Sequence, residues 1–416
     1  MSRKILIHSI VFSPDGVSTA YLYNDIALKF KESGYEVVVL TTTPHYNVLE
    51  NELLKQPLKK KTLGLYYESN FQGIKVKHIY QKKFKSTILR LFGFLYWHLL
   101  SFILALYEKN VDAILSPSPP LTIGFINVLI SKLKKTKVIY NVQEIYPDLL
   151  IEEGGLKSKS TISLLRWMEK FVYNHSDAIV TIDQIFYETI FSRVKDISKL
   201  HIIPNFVDTS IYKPLNEDSL EINKDFFPYT ESLKVMYAGN IGYAQDWESL
   251  VALADELKND SIEFFVIGEG ASKKTLLSKK ENLKLDKLHI IPYQSRDVMP
   301  LLLSYSDLQF IFMSPHTEGH GFPSKVYTIM ACAKPIVVCS GENTPIINFL
   351  KEKNCAFLIT EREMKSKVKT MAQILRNTPF SEYKKMGNNG FQYIINEYSK
   401  DVVTEKYVSL VNNLFS

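Results

Sequence analysis

The chain has 416 residues, of which 46% are hydrophobic and 23% charged. That balance excludes a disordered, collagen-like or disulfide-scaffold protein and leaves room for two or three domains. Fifty basic against 44 acidic side chains leave a net charge of +6, a modest excess that gives no ground for a nucleic-acid partner. The three cysteines, Cys332, Cys339 and Cys355, show neither CxxC nor paired spacing, which argues against a disulfide framework or a zinc site and fits a reducing compartment.

An apolar run, Ile5–Phe12, opens the chain. Asp15 and Gly16 interrupt before an apolar stretch of signal-peptide type could form, so no secretory leader is expected. The loop Ser13-Pro14-Asp15-Gly16 follows, then a helix with Ser18 as its cap, the face Tyr23, Ile26, Ala27, Phe30, and Gly34 as its stop. A strand, a glycine loop and a helix start can hold an anion, which makes Gly16 a candidate ligand-binding position. A tight turn explains the same residues equally well, and one glycine does not make a dinucleotide fingerprint.

Nine lysines then crowd one stretch: Lys55, Lys59, Lys60, Lys61, Lys75, Lys77, Lys82, Lys83 and Lys85. They fit either a solvated surface or an anionic partner, such as a membrane surface or a phosphate-bearing substrate. The apolar segment 88–107 is about long enough to span a bilayer. Arg90 and His98 lie inside it, so a packed or surface-docked helix is expected.

Beyond Ile5–Phe12, β-branched runs recur at Glu36–Thr42, Lys75–Tyr80, Ala113–Ser116, Lys137–Asn141, Ala178–Ile182 and Leu200–Pro204. Six more follow at Lys234–Ala238, Glu263–Ile267, Leu288–Ile291, Leu308–Met313, Pro335–Cys339 and Ala356–Ile359. Helix-length amphipathic stretches separate them, which predicts parallel sheets covered on both faces. There are about twice as many strands as one such sheet usually needs. The expected fold class is therefore α/β with two Rossmann-like, doubly wound domains, 1–208 and 209–397. The helical tail 398–416 is expected to pack back on the first.

The second half gathers polar residues on βα loops. Asn240 and Gln245 follow one strand, Gly268 and Glu269 the next, and Tyr293 a third. The fourth loop is the densest: Glu318, Gly319, His320, Gly321, Phe322, Pro323, Ser324 and Lys325, with Thr328 one turn on. Parallel strands place such loops on one sheet edge, where a phosphate and sugar hydroxyls could bind. Taken singly, His320 and Lys325 could be ordinary surface or helix residues, and Gly319 and Gly321 could serve only the turn.

These motifs resemble the GT-B fold glycosyltransferases of family 4, retaining enzymes of capsule and O-antigen assembly. The likeness rests on Glu-Gly-His-Gly-Phe-Pro at 318–323, Ile-Met-Ala-Cys-Ala-Lys-Pro-Ile-Val at 329–337 and Tyr-Ala-Gly-Asn-Ile-Gly at 237–242. Asn-Val-Gln-Glu-Ile-Tyr-Pro-Asp at 141–148 and Pro323-Ser324-Lys325 are similar to one polysaccharide-assembly branch. The resemblance implies two domains facing a central cleft, a nucleoside diphosphate sugar donor read by Glu318, Lys325 and their neighbours, and no metal. It places Thr328 near the ribose, and Glu144 and Asp148 toward a lipid-linked glycan acceptor. It implies a cytoplasmic enzyme, peripheral on the inner face of the bacterial plasma membrane, with a uridine diphosphate N-acetylated sugar as donor.

The sequence also departs from that family's pattern. Thr328 stands where the second signature glutamate is expected, and Asn240 and Gln245 stand about where an Arg and a Lys are. Lys325 and the helix start after Ser324 could supply the missing positive charge. A nucleotide-sugar epimerase on the same fold and a non-catalytic sugar-nucleotide-binding partner remain alternatives, since fold does not prove activity.

Overall fold

The computed structural model describes residues 2–48, 50–81, 86–152, 154–216, 221–318 and 322–416. The chain divides into two compact units, Met1–Asn205 with Val403–Ser416, and Phe206–Val402.

Among the described residues the first unit is built on nine strands: β1 (Lys4–His8), β2 (Glu36–Thr42), β3 (Lys59–Lys61), β4 (Tyr66–Phe71), β5 (Ile74–Ile79), β6 (Ala113–Ser118), β7 (Lys137–Val142), β8 (Ala178–Thr181) and β9 (Leu200–Ile202). Their order is β3-β4-β5-β2-β1-β6-β7-β8-β9. From β5 to β9 every pairing is parallel. Ile5, Leu6 and Ile7 are buried, as strands covered on both faces require. β3 and β4 add an antiparallel hairpin at one edge. Their residues were not among the expected strands.

The first helix, Ser18–Glu32, buries Ala20, Tyr23, Ile26, Ala27 and Phe30. It ends where Gly34 takes φ +87° and the Tyr35 amide donates to the Phe30 carbonyl. The expected cap is corrected: Val17 holds the N-cap position, with no side-chain hydrogen bond, and Ser18 is already helical. Helix Thr87–Tyr107 packs Trp97, Leu100 and Ala105 into a cluster with Leu6, Val38, Leu40 and Ile79. Among the described residues no helix is long and apolar enough to cross a membrane.

The chain's last helix, Lys400–Asn413, places Tyr407 within this unit. Its hydroxyl accepts from Asn141 Nδ2 at 2.9 Å. Lys29 and Glu405 form an ion pair at 2.9 Å.

The second unit holds β10 (Leu233–Ala238), β11 (Ile262–Ile267), β12 (Leu288–Ile291), β13 (Leu308–Phe312), β14 (Ile336–Cys339) and β15 (Ala356–Ile359). All are parallel, in the order β12-β11-β10-β13-β14-β15. The order reverses between β10 and β13. In an open doubly wound sheet, ligands bind outside the carboxyl ends of the strands at that reversal. Both parallel α/β sheets agree with the expected fold class.

Candidate active site

The carboxyl end of β10 is the centre of the second unit's candidate site. Its backbone turns at Gly239 (φ +151°), and β11 ends at Gly268 (φ +149°). The two turns touch: a Cβ on Gly268 would lie 1.9 Å from the Gly239 carbonyl oxygen. Only glycine fits there, in backbone conformation and in space. The Ile241 amide donates to the Glu269 carbonyl at 2.8 Å, which fastens the loops together.

Into this corner comes Lys325, first residue of the helix Lys325–Ala331. The residue as a whole is only partly buried, but its amino group is almost wholly withdrawn from solvent. Nζ donates to the Ala238 carbonyl at 2.9 Å and lies 3.9 Å from the centre of the Tyr237 ring. A Cβ on Gly239 would stand 2.5 Å from Nζ, so the missing side chain makes the seat. Burial pushes the Lys325 amine down to about 7. Among the described residues no carboxylate is ion-paired with it. A buried cation held by a carbonyl dipole and an aromatic face lacks a full counter-charge, and an anion would supply one.

Asn240 and Gln245 flank this corner. The Asn240 side chain is exposed, and the Asn240 backbone carbonyl accepts from Tyr237 Oη at 2.8 Å. Gln245 Oε1 accepts from the Gly242 amide at 3.2 Å, bracing its own turn. Glu269 pairs with Lys273 at 2.6 Å, which holds its carboxyl below the usual range. Tyr293 is exposed.

Glu318 is elsewhere in the site. It is buried, and its Oε2 accepts from the Gly341 amide at 2.7 Å, beyond β14. Its other oxygen is ion-paired with Arg362, beyond β15. A Cβ on Gly341 would fall 2.2 Å from the Arg362 guanidinium and 2.9 Å from Glu318 Oε1, so a side chain there would push on this pair. Sequence reasoning missed Arg362 and Gly341, which lie 44 and 23 residues downstream of Glu318 and carry no motif that marks them.

The remaining residues of this loop divide. Phe322 packs on Tyr327 and Phe349, with ring centres 5.3 and 5.0 Å away. The Pro323 carbonyl accepts from the Val326 amide, and Ser324 is exposed at the helix start. Thr328 Oγ1 donates to the Lys325 carbonyl at 2.9 Å, so its hydroxyl is turned onto its own helix. Gly319, His320 and Gly321 lie outside the described residues, as do Lys82, Lys83 and Lys85 of the lysine stretch. Among the described residues, no group of three His, Cys, Asp or Glu side chains could hold a metal ion.

Residues 218–393 match the family model of glycosyl transferases group 1. The matched segment, most of the second unit, is similar to the group 1 glycosyl transferases, a retaining hexosyltransferase family. The chain's relatives are distant. It is 21% identical over 82% of its length to the colanic acid biosynthesis glycosyl transferase WcaI of Escherichia coli (strain K12), covering 84% of that protein. It is 24% identical over 74% of its length to the glycosyltransferase WbjE of Pseudomonas aeruginosa, covering 76% of it. The structure of Anabaena Alr3699/HepE in complex with UDP superposes with a TM-score of 0.70 at 14% identity, over 99% of this chain and 100% of that one.

The first unit carries the other expected residues. The Gly16 amide donates to the Tyr46 carbonyl at 2.9 Å, and a Cβ there would lie 2.4 Å from the Asn47 carbonyl oxygen. Gly16 thus serves close approach of two loops. Asp15 completes the clasp, one carboxylate oxygen accepting from the His45 and Tyr46 amides, both at 2.8 Å. Burial raises its pKa, against these hydrogen bonds. Glu144 follows β7, its carbonyl accepting from Ser118 Oγ at 3.1 Å. Asp148 is bound to Arg166 at 3.1 Å and to Arg193 at 2.5 Å, and Arg193 also holds the buried Glu169 at 2.7 Å. A carboxylate with two guanidinium partners is well suited to hold structure.

Proposed function

We propose that this transferase moves a sugar, with retention, from a uridine diphosphate N-acetylated sugar to a lipid-linked glycan acceptor in bacterial surface polysaccharide synthesis. The observation that carries the donor half is Lys325: a buried amine without a carboxylate partner, at the reversal point of a doubly wound sheet. A diphosphate is the counter-charge that such a site lacks. The HepE structures with UDP and with UDP-glucose support a uridine nucleotide. The name of WcaI supports a polysaccharide product.

In the reaction, the bond from the anomeric carbon to the diphosphate oxygen breaks. An acceptor hydroxyl oxygen bonds to the same face of that carbon, and its proton leaves on the departing diphosphate. Negative charge grows on the leaving group, where Lys325 stabilises it without a metal. Glu318, anchored by Gly341 and Arg362, keeps lone pairs for donor sugar hydroxyls. Asn240 and Gln245 border the diphosphate, Gly268 lets the backbone approach it, and Thr328 lies toward the ribose. Glu144 contributes to the acceptor side, whereas Asp148 shapes that side through Arg166 and Arg193. The enzyme works peripherally, on the inner face of the plasma membrane.

The test is incubation with radiolabelled sugar nucleotides and bacterial membranes. Label moving into lipid supports the proposal. Isomerised donor without transfer would favour an epimerase, and nucleotide binding without turnover a non-catalytic partner.

A further inference from the structure

Helix Thr87–Tyr107 has two apolar faces, and only one is spent on the core. Trp97, Leu100 and Ala105 are buried, while Leu89, Phe92, Leu95, Tyr96, Leu99, Ile103 and Tyr107 are exposed. At 100° per residue these exposed positions fall in one stripe along the whole helix, about 30 Å at 1.5 Å per residue. A stripe so long and apolar is a surface awaiting something, not scattered exposure.

The β3–β4 hairpin adds a second feature to the same face. β3 is Lys59-Lys60-Lys61, exposed throughout. Opposed residues of an antiparallel pair share a face. Lys61 opposes Tyr66, and Tyr66 opposes Ile79. Ile79 and Tyr66 pack against the cluster that includes Trp97. Lys59 and Lys61 therefore project on the helix's side of the sheet, as does the exposed Lys75, which lies two pairs from Glu68 in register.

The hairpin tip is strained as well as exposed. Thr62, Leu63 and Gly64 take φ +45°, +56° and +95° in succession. Two non-glycine residues in that region cost free energy. What they achieve is the outward presentation of Leu63, which is fully exposed, beside the exposed Leu65. β3 runs parallel to β5, so the tip lies at the carboxyl edge of the sheet, the edge from which the helix sets out.

We infer that the Leu63 tip and the Leu89–Tyr107 stripe together form a docking surface for an anionic lipid bilayer, with Lys59, Lys61 and Lys75 as its basic border. This rests on the proposed lipid-linked acceptor and deepens it by naming the surface. Apolar side chains enter the headgroup boundary while lysines meet anionic headgroups. Salt screens the second contribution only.

Vesicle sedimentation tests it without any sugar donor, so its failure leaves the transferase reading intact. The protein is expected to bind vesicles of phosphatidylcholine with phosphatidylglycerol, and to bind pure phosphatidylcholine at least about tenfold less well. Leu95→Glu with Leu99→Glu, and separately Leu63→Glu, should each reduce binding about tenfold or more with an unchanged melting temperature, because these side chains are already in solvent. Lys59→Ser with Lys61→Ser should remove the preference for phosphatidylglycerol. Absence of binding at low salt would overturn the inference. So would a dimer in solution that Leu95→Glu with Leu99→Glu converts to monomer, since the stripe would then be covered by a second copy.

Discussion

The Lys325 amino group lies 2.9 Å from the Ala238 carbonyl oxygen, joining the start of one helix to the end of the sheet's first strand. That contact closes the reversal point of the second sheet. It also seats the amine against the Gly239 turn, where a Cβ would stand 2.5 Å from Nζ.

Replacing Lys325 should change stability in a pH-dependent way. Burial lowers its pKa from 10.5 to about 7. Below about pH 7 the folded and unfolded chains both carry the proton, and the full cost of burying the charge is present. Between about 7 and 10.5 the unfolded chain binds a proton that the folded chain has shed, so this contribution to stability rises with pH. Lys325→Met should therefore stabilise by at least about 1 kcal/mol at pH 6, one pKa unit's worth, and by less at pH 9.5. Urea midpoints of both proteins at the two pH values check this. A gain independent of pH would show that the amine is not desolvated.

Gly239→Ala should damage the same seat from the other side. Its Cβ would meet Lys325 Nζ at 2.5 Å, and φ +151° is unfavourable for alanine. A loss of about 1–3 kcal/mol is expected. Combining it with Lys325→Ala should recover part of the loss, because the clash is with that side chain. Strict additivity in a denaturant cycle would place the whole cost in the backbone.

Glu318→Ala should reduce both activity and stability. The Gly341 amide loses its acceptor, a cost of about 1–3 kcal/mol for a buried donor. Transfer should fall roughly 100-fold, about 2.7 kcal/mol in transition-state terms. Arg362→Ala should cost less stability, since that side chain is largely exposed. Activity within about threefold of the parent for Glu318→Ala would remove it from the donor site.

Much of this architecture was legible in the sequence because parallel strands announce themselves. Runs such as Glu36–Thr42 and Lys234–Ala238 are apolar on both faces. The β3–β4 hairpin was not legible: Lys59–Lys61 carries no apolar residue, and an edge strand needs none. Lys325 was visible as part of a motif, but its burial depends on Tyr237 and Gly239, nearly ninety positions away in the chain (Nζ bonds across 87). Arg362 was illegible for the same reason, since contacts between loop ends follow strand order and not sequence order. Gly16 stayed open to two readings, because one glycine serves an anion loop and a close approach equally well, and the contact with Asn47 shows only the second.

The tail makes a separate prediction. Asn141 gives its Nδ2 to Tyr407 Oη at 2.9 Å and takes Tyr23 Oη on its Oδ1 at 2.7 Å, all three buried. Tyr407→Phe should cost about 1 kcal/mol, read as a lower urea midpoint, with UDP affinity unchanged because Tyr407 and the Lys325 site belong to different units. A change in UDP affinity of more than about threefold would contradict that separation.

The proposed diphosphate site is tested most directly by titrating UDP and uridine calorimetrically into the parent and Lys325→Met from pH 6 to pH 9. Only protonated Lys325 offers a charge to the diphosphate, so parent affinity for UDP should weaken above about pH 7, by up to roughly tenfold per pH unit for one linked proton. Lys325→Met should bind UDP weakly with no such dependence, and uridine should bind both proteins alike. Parent affinity for UDP that is flat across this range, or equal losses of UDP and uridine in Lys325→Met, would contradict the assignment of Lys325 to the diphosphate.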